Sequence, residues 1–228
     1  MKKYFVIILC LLMITGCGAR ERAKLKTSVS EYESEIASVR VEGIEFFGFS
    51  DNDFQKSIND NIAEDLNGAM ISFDTMVSES TENIRLGNRC VLEIKQFLKN
   101  NDKNFISVIE EHYVYTGGAH GSVIWYPRNI DTLGNKIVTA DDLFCEGYEK
   151  ELNRHIDNIM EENKEEYSDL WEHPKAMKDM NFYISDGKLV VFFQPYELSY
   201  YARGFVEFPI KLCEIRGILK EEYKRLAE

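Results

Sequence analysis

Several kinds of chemistry are excluded by what this chain of 228 residues lacks. It contains no CxxC pair, so a zinc knuckle or thioredoxin-like exchange has no ligands or thiols in the required spacing. It has no GxSxG elbow for a serine nucleophile and no HExxH helix for a zinc hydrolase. Basic charge is in short supply, with 27 Lys and Arg against 39 Asp and Glu and a formal charge of −12. Nucleic-acid binding, which needs a basic footprint, is therefore not expected. Internal repeats and low-complexity tracts are absent, and no apolar run is long enough to span a bilayer stably.

The N-terminus does carry a short apolar run. In "MKKYFVIILCLLMITGC" two lysines precede the stretch Tyr4 to Ile14, and Thr15-Gly16-Cys17 follows. This is the layout of a secretory signal, and a small residue before a cysteine is the bacterial lipoprotein pattern. The expectation is a signal peptide over 1–16, lipid on Cys17, and a mature chain held by acyl groups at the extracytoplasmic face of a cell membrane or outer membrane. Losing Lys2 and Lys3 with the leader would take the formal charge from −12 to −14. Such a surface favours a cationic partner through long-range steering. Residues 17–34, polar and without a core pattern, read as a linker below one folded domain. Of the five cysteines, Cys90, Cys145 and Cys213 remain in the folded part, which allows one disulfide at most.

Periodicity then gives the elements. "SVRVEGIEFFGF" alternates as a strand. Asp51 or Asp53 can cap a helix with Phe54, Ile58, Ile62, Leu66, Met70 and Phe73 along one stripe. Two long strands flank "NNDKN", and a further strand follows in "SVIWYPRNID". A second helix is expected from Tyr148 to about Met160, then a hairpin turned at Asp186-Gly187, then the strand "GFVEFPI". A final helix is expected over "KLCEIRGILKEEYKRLA", with Leu212, Ile215, Leu219, Tyr223 and Leu226 on one face. The fold class is α+β, a mainly antiparallel sheet of hairpins with helices packed on it.

Two stretches are candidates for function. In "YVYTGGAHGSVIWY", His120 sits between glycines. Its expected role is structural: Gly117 and Gly118 supply backbone angles that other residues resist, and the imidazole bonds a neighbouring loop carbonyl or carboxylate. Ligand contact by His120 with Tyr115 ranks second, and catalysis or metal binding last; no metal or cofactor is expected. In "QPYELSYYARGF", Tyr196, Tyr200, Tyr201 and Phe205 cluster with Glu197 and Arg203, and such rings suit sheet-edge packing or partner contact. Trp171, beside the acidic Glu161, Glu162, Glu165, Glu166 and Asp169, extends this to a patch for a basic partner.

These same motifs carry a family resemblance. Tyr115-Thr116-Gly117-Gly118-Ala119-His120-Gly121, then Asp142-Leu143-Phe144, then Gln194-Pro195-Tyr196-Glu197 with Tyr201-Ala202, resemble the extracytoplasmic domain of RsiV-type anti-sigma factors. A similar domain accompanies PdaC-type peptidoglycan deacetylases. The resemblance is specific over 111–228, while 35–110 are similar to the smaller segment that precedes it. It implies the α+β fold and a ligand class, lysozyme or another wall-associated protein or glycan. Neither a sigma-binding segment nor a deacetylase domain is recognisable, so it implies neither signalling nor deacetylation. A non-enzymatic binding module is the expectation. The alternative is an enzyme on envelope polysaccharide, with His120 and a carboxylate such as Glu111 or Asp141 as acid and base.

Overall fold

A computed structural model describes the backbone of residues 8–10 and the whole of residues 22–228. The expected leader, apart from that backbone, and the lipidation site Cys17 lie outside the described residues. The chain divides into two compact units, Met1–Phe97 with Glu110–Trp125, and Leu98–Ile109 with Tyr126–Glu228. A single folded domain was the simpler expectation from composition.

In the first unit, β1 (Ile8–Cys10), β2 (Lys24–Glu33) and β3 (Ala37–Phe47) pair antiparallel. The 28-residue helix α1 (Asn52–Glu79) follows, started by Asp51, whose carboxylate accepts from the Phe54 N–H at 2.9 Å. The short α2 (Thr81–Arg85) then leads into β4 (Cys90–Asp102), which lies parallel to β3. A helix between parallel neighbours is the crossover that such strands require. Ile58, Ile62 and Phe73 of the expected stripe are buried, whereas Met70 is exposed. Phe73 packs with Ala37, Val41, Cys90, Leu92 and Ile94.

Both β4 and β5 (Phe105–Tyr115) contribute residues to both units, as does β6 (Ser122–Asp131). Lys103 and Asn104, each at φ 56°, form the two-residue turn between β4 and β5. That turn belongs to the second unit, where Asn100 Nδ2 donates to the Phe105 carbonyl at 2.5 Å and Arg225 Nε to that of Lys103 at 3.1 Å. β7 (Lys136–Ile137) closes the seven-stranded sheet, ordered β1-β2-β3-β4-β5-β6-β7.

The remaining elements of the second unit are α3 (Ala140–Leu143), α4 (Tyr148–Glu162), β8 (Asn181–Ser185), β9 (Lys188–Phe193) and β10 (Val206–Lys211). The last three form an antiparallel sheet with β9 in the middle. Asp186 and Gly187, at φ 48° and 71°, make the expected hairpin turn, in which two positive φ values match the twist of the strands. A core of Phe105, Leu143, Phe144, Leu152, Ile156, Val191, Phe208 and neighbouring apolar residues lies between this sheet and the helices.

Two expectations are corrected. Residues 24–33, read as the end of a linker, form β2, paired along its length from Lys24 opposite Phe47 to Glu33 opposite Ser38. This strand has no fully buried side chain, so the alternation that marks a half-buried strand is missing from its sequence. The expected C-terminal helix is instead two 3-10 segments, Arg216–Ile218 and Glu221–Ala227. Leu219 forms a bridge with Phe144, and the Lys220 N–H donates to the Leu143 carbonyl at 3.0 Å, which holds the chain extended between them. Leu212, Ile215, Leu219, Tyr223 and Leu226 are all buried, because a 3-10 turn also recurs every three residues or so. Cys90, Cys145 and Cys213 are free thiols.

Candidate functional site

In the first unit, the glycine-rich turn after β5 is built by close approach. Gly117 and Gly118 hold φ 108° and 105°, a region that other residues rarely adopt. A Cβ on Gly117 would lie 2.5 Å from Asn83 Cγ, and one on Gly121 2.4 Å from the Tyr113 ring. Asn83 Nδ2 donates to the Thr116 carbonyl at 3.1 Å, and the Tyr115 hydroxyl donates to that of Gly118 at 3.1 Å. His120 Nδ1 lies 2.8 Å from the Gly121 carbonyl, which assigns that nitrogen the proton. Glu111, a candidate acid–base partner, accepts from the Trp125 indole at 2.7 Å, while Asp141, in the second unit, pairs with Lys178 at 2.9 Å.

The first unit also holds a polar chain that sequence reasoning missed. The Ile44 N–H donates to Gln96 Oε1 at 2.6 Å, Gln96 Nε2 donates to Glu110 at 2.5 Å, and His112 Nε2 meets the other Glu110 oxygen at 2.6 Å. Glu110 is buried, so this network supplies the partners that its carboxylate needs away from water.

The second unit brings together the remaining candidates. Asp169 is the centre of their arrangement. Its carboxylate meets Arg203 Nη1 at 2.8 Å, and its carbonyl accepts from the Ser199 hydroxyl at 3.1 Å. A hydrogen bond to Asp169 also holds the Tyr200 phenol above its ordinary pKa. Two residues on, the Trp171 N–H donates to the Leu198 carbonyl at 3.0 Å. The loops 169–171 and 194–203 are thereby joined by backbone, hydroxyl and charged contacts.

The joined loops leave large rings in solvent. Trp171, Tyr196 and Tyr200 are 55%, 58% and 50% exposed. The Tyr196 ring lies 5.5 Å from that of the partly buried Tyr201. Tyr196 stands at φ 73° in the turn Gln194-Pro195-Tyr196-Glu197, which is closed by Glu197 N–H donating to the Gln194 carbonyl at 3.1 Å. Proline second and a positive φ third mark a type II turn, whose third position ordinarily takes glycine. A tyrosine there costs about 1–2 kcal/mol, held in place by Glu197 Oε2 accepting from the Gln194 N–H at 2.6 Å. Nearby in sequence, Glu161, Glu162, Glu165, Glu166 and Glu172 are exposed. A shallow cavity of about 340 Å³ is lined by Asp157, Met160, Glu161, Lys164, Tyr167 and His173. Among the described residues, no three His, Cys, Asp or Glu side chains gather as a metal site. These loops thus present exposed rings and hydroxyls, with negative charge close by in the sequence.

Comparison with known proteins gives two family matches. Residues 30–123 match the family described as Deacetylase PdaC, and residues 141–212 match the one described as Protein of unknown function (DUF3298). The peptidoglycan-N-acetylmuramic acid deacetylase PdaC of Bacillus subtilis (strain 168) is 27% identical over 128 residues, which are 53% of this chain and 27% of that protein. The chain therefore spans about a quarter of that relative's length. A DUF3298-family crystal structure from Bacteroides fragilis superposes with a TM-score of 0.69 at 16% identity, covering 88% of this chain and 94% of the other. Another from Pseudomonas aeruginosa gives 0.58 at 14% identity, covering 97% and 94%. At these identities the structures bear on the fold alone.

Proposed function

We propose that this chain, which the PdaC model matches over residues 30–123 and the DUF3298 model over residues 141–212, is a non-enzymatic binding module of the cell envelope. It is anchored through lipid on Cys17 at the extracytoplasmic face of a membrane, and it takes a cationic wall-associated protein such as lysozyme, or peptidoglycan itself. The observation that carries this reading is the exposed ring cluster of Trp171, Tyr196 and Tyr200, fixed on loops tied together at Asp169. Rings carried on loops that are already tied together require less ordering on binding, and aromatic anchors dominate many interfaces. The charge of −12 favours a basic partner, whose approach is steered at low salt. Calorimetric titration with a basic lysozyme, at low and physiological salt, tests the proposal. Binding that survives salt and is lost in Trp171→Ala and Tyr200→Ala supports it. If neither lysozyme nor peptidoglycan fragments give heat at either salt, the reading is dropped.

The second reading, an enzyme on envelope polysaccharide, draws support from the deacetylase named above and from His120, which falls within the matched stretch 30–123. It requires turnover of peptidoglycan fragments that His120→Ala abolishes. An unchanged rate in that variant removes His120 from the reading.

A further inference from the structure

The outer edge of β2 has a direction that the hydrogen bonds of β3 reveal. Ile44 and Phe46, which stand opposite Thr27 and Leu25, spend their N–H groups elsewhere: on Gln96 Oε1 at 2.6 Å and on Asn59 Oδ1 at 2.9 Å. The Phe46 carbonyl also accepts from Asn59 Nδ2 at 2.9 Å. In an antiparallel pair, opposed residues either exchange both bonds or neither. Leu25 and Thr27 therefore do not bond β3, and by alternation the backbone groups of Leu25, Thr27, Val29 and Glu31 point outward from the sheet. In the structure that edge receives Ile8–Cys10, with Cys10 opposite Thr27 and Ile8 opposite Val29. Those residues lie within the expected leader. Its removal would leave a ten-residue edge with no proline and outward-directed donors and acceptors, a template for strand addition.

We infer that this edge is a dimerisation surface, on which β2 of a second copy pairs antiparallel once residues 1–16 are gone. The inference rests on the lipoprotein reading for the removal of the leader and for the tether that concentrates copies on a membrane. A twofold axis perpendicular to the sheet sets two copies of one edge antiparallel with the same face up. Only registers pairing even with even and odd with odd residues satisfy that axis. Placed at the middle of β2, it centres on Ser28 or on Val29. In the first register Lys24 faces the partner's Tyr32, and in the second Lys26 does. Tyr32 is 40% exposed, so each register gives two symmetric lysine–ring contacts. Antiparallel pairing also keeps Lys24 and Lys26 away from their counterparts in the other copy, and Glu31 and Glu33 likewise, whereas parallel in-register pairing would set these like charges opposite one another.

The test uses the full chain, expressed with its leader in a bacterial host and extracted in mild detergent. Intact mass first reads whether residues 1–16 are removed and Cys17 carries lipid. Oxidative cross-linking in membranes then compares the native sequence with Ser28→Cys and Val29→Cys, because cross-strand Cα separations of about 4.5–5.5 Å lie within disulfide range. One of the two is expected to give a cross-linked homodimer, and Thr27→Pro is expected to lower the dimer fraction roughly tenfold or more by removing an outward donor. Thr27→Pro leaves the β2–β3 ladder intact, and an unchanged thermal midpoint would confirm that the loss is not unfolding. Tyr32→Ser, which touches no backbone group, should weaken dimerisation independently. A processed chain that stays monomeric, a dimer indifferent to Thr27→Pro and Tyr32→Ser, or a cross-link to a different protein overturns the inference alone. A chain that keeps its leader overturns it together with the lipoprotein reading.

Discussion

Arg203 and Asp169, 34 residues apart in the chain, meet at 2.8 Å and tie the loop carrying Trp171 to the loop carrying Tyr196 and Tyr200. Both side chains are largely shielded, at 20% and 26% exposure, so the pair is screened less than a surface bridge. Asp169→Ala strands the guanidinium and also removes the acceptor of the Tyr200 phenol. The expected cost is about 1–3 kcal/mol, read as a lower thermal midpoint. Faster amide exchange should be confined to residues 194–204, with loss of partner binding. Unaltered exchange there would mean that the loops are ordered by something other than Asp169.

Tyr196 is where stability and function should separate. Glycine adopts the φ of 73° without strain, although it gains more freedom when unfolded. Tyr196→Gly is therefore expected to leave stability unchanged or raise it by up to about 1 kcal/mol, while partner affinity falls at least tenfold. Chemical denaturation and calorimetry on the same sample read both quantities. A variant that is clearly less stable would show the ring to be packing, as the sheet-edge reading of these tyrosines holds.

The glycine turn makes the opposite prediction, with the backbone mattering more than the imidazole. Gly121→Ala would push a methyl into the Tyr113 ring at 2.4 Å, and Gly117→Ala adds a positive φ to a clash with Asn83. Each should destabilise the first unit by about 1–3 kcal/mol, the usual cost of overpacking. His120→Ala removes the Nδ1 contact with the Gly121 carbonyl and should cost less than either glycine variant. Equal losses in all three variants would restore the imidazole to a central role.

What was legible in the sequence follows interaction range. The α1 stripe, the Asp186-Gly187 turn and the left-handed glycines at 117 and 118 are encoded within a few residues, and they appear where expected. The exposed tyrosines were visible as a cluster because they share one loop. Asp169 as their anchor was not: Arg203 belongs to the tyrosine stretch and Asp169 to the acidic patch, and a pairing across 34 residues leaves no local pattern in either. β2 escaped notice because its stabilisation comes from backbone pairing with β3, which composition does not record. The Gln96–Glu110–His112 chain was hidden for a related reason: alternation marks which residues face inward, not which polar groups meet there.

Tyr223 gives the pH dependence. Its phenol is buried in the second unit and packs edge-on to Phe105, with ring centroids 6.2 Å apart. Burial, followed by the carboxylates of Asp131 and Asp142, pushes its pKa up to about 12. Tyr148 is raised to about 12 as well, by burial first and then by Asp141. An unfolded tyrosine ionises near pH 10, so between about pH 10 and 12 the unfolded chain releases protons that the folded chain retains. The stability these groups contribute is complete below about pH 10 and is lost as pH rises toward 12. Denaturation at pH 8 and at pH 11.5 should differ more in the native sequence than in Tyr148→Phe/Tyr223→Phe, by roughly 3–4 kcal/mol. If the two proteins lose stability in parallel over that range, the alkaline transition belongs to other groups, and Tyr183, whose phenol is raised by burial and by Glu207, is the next to replace.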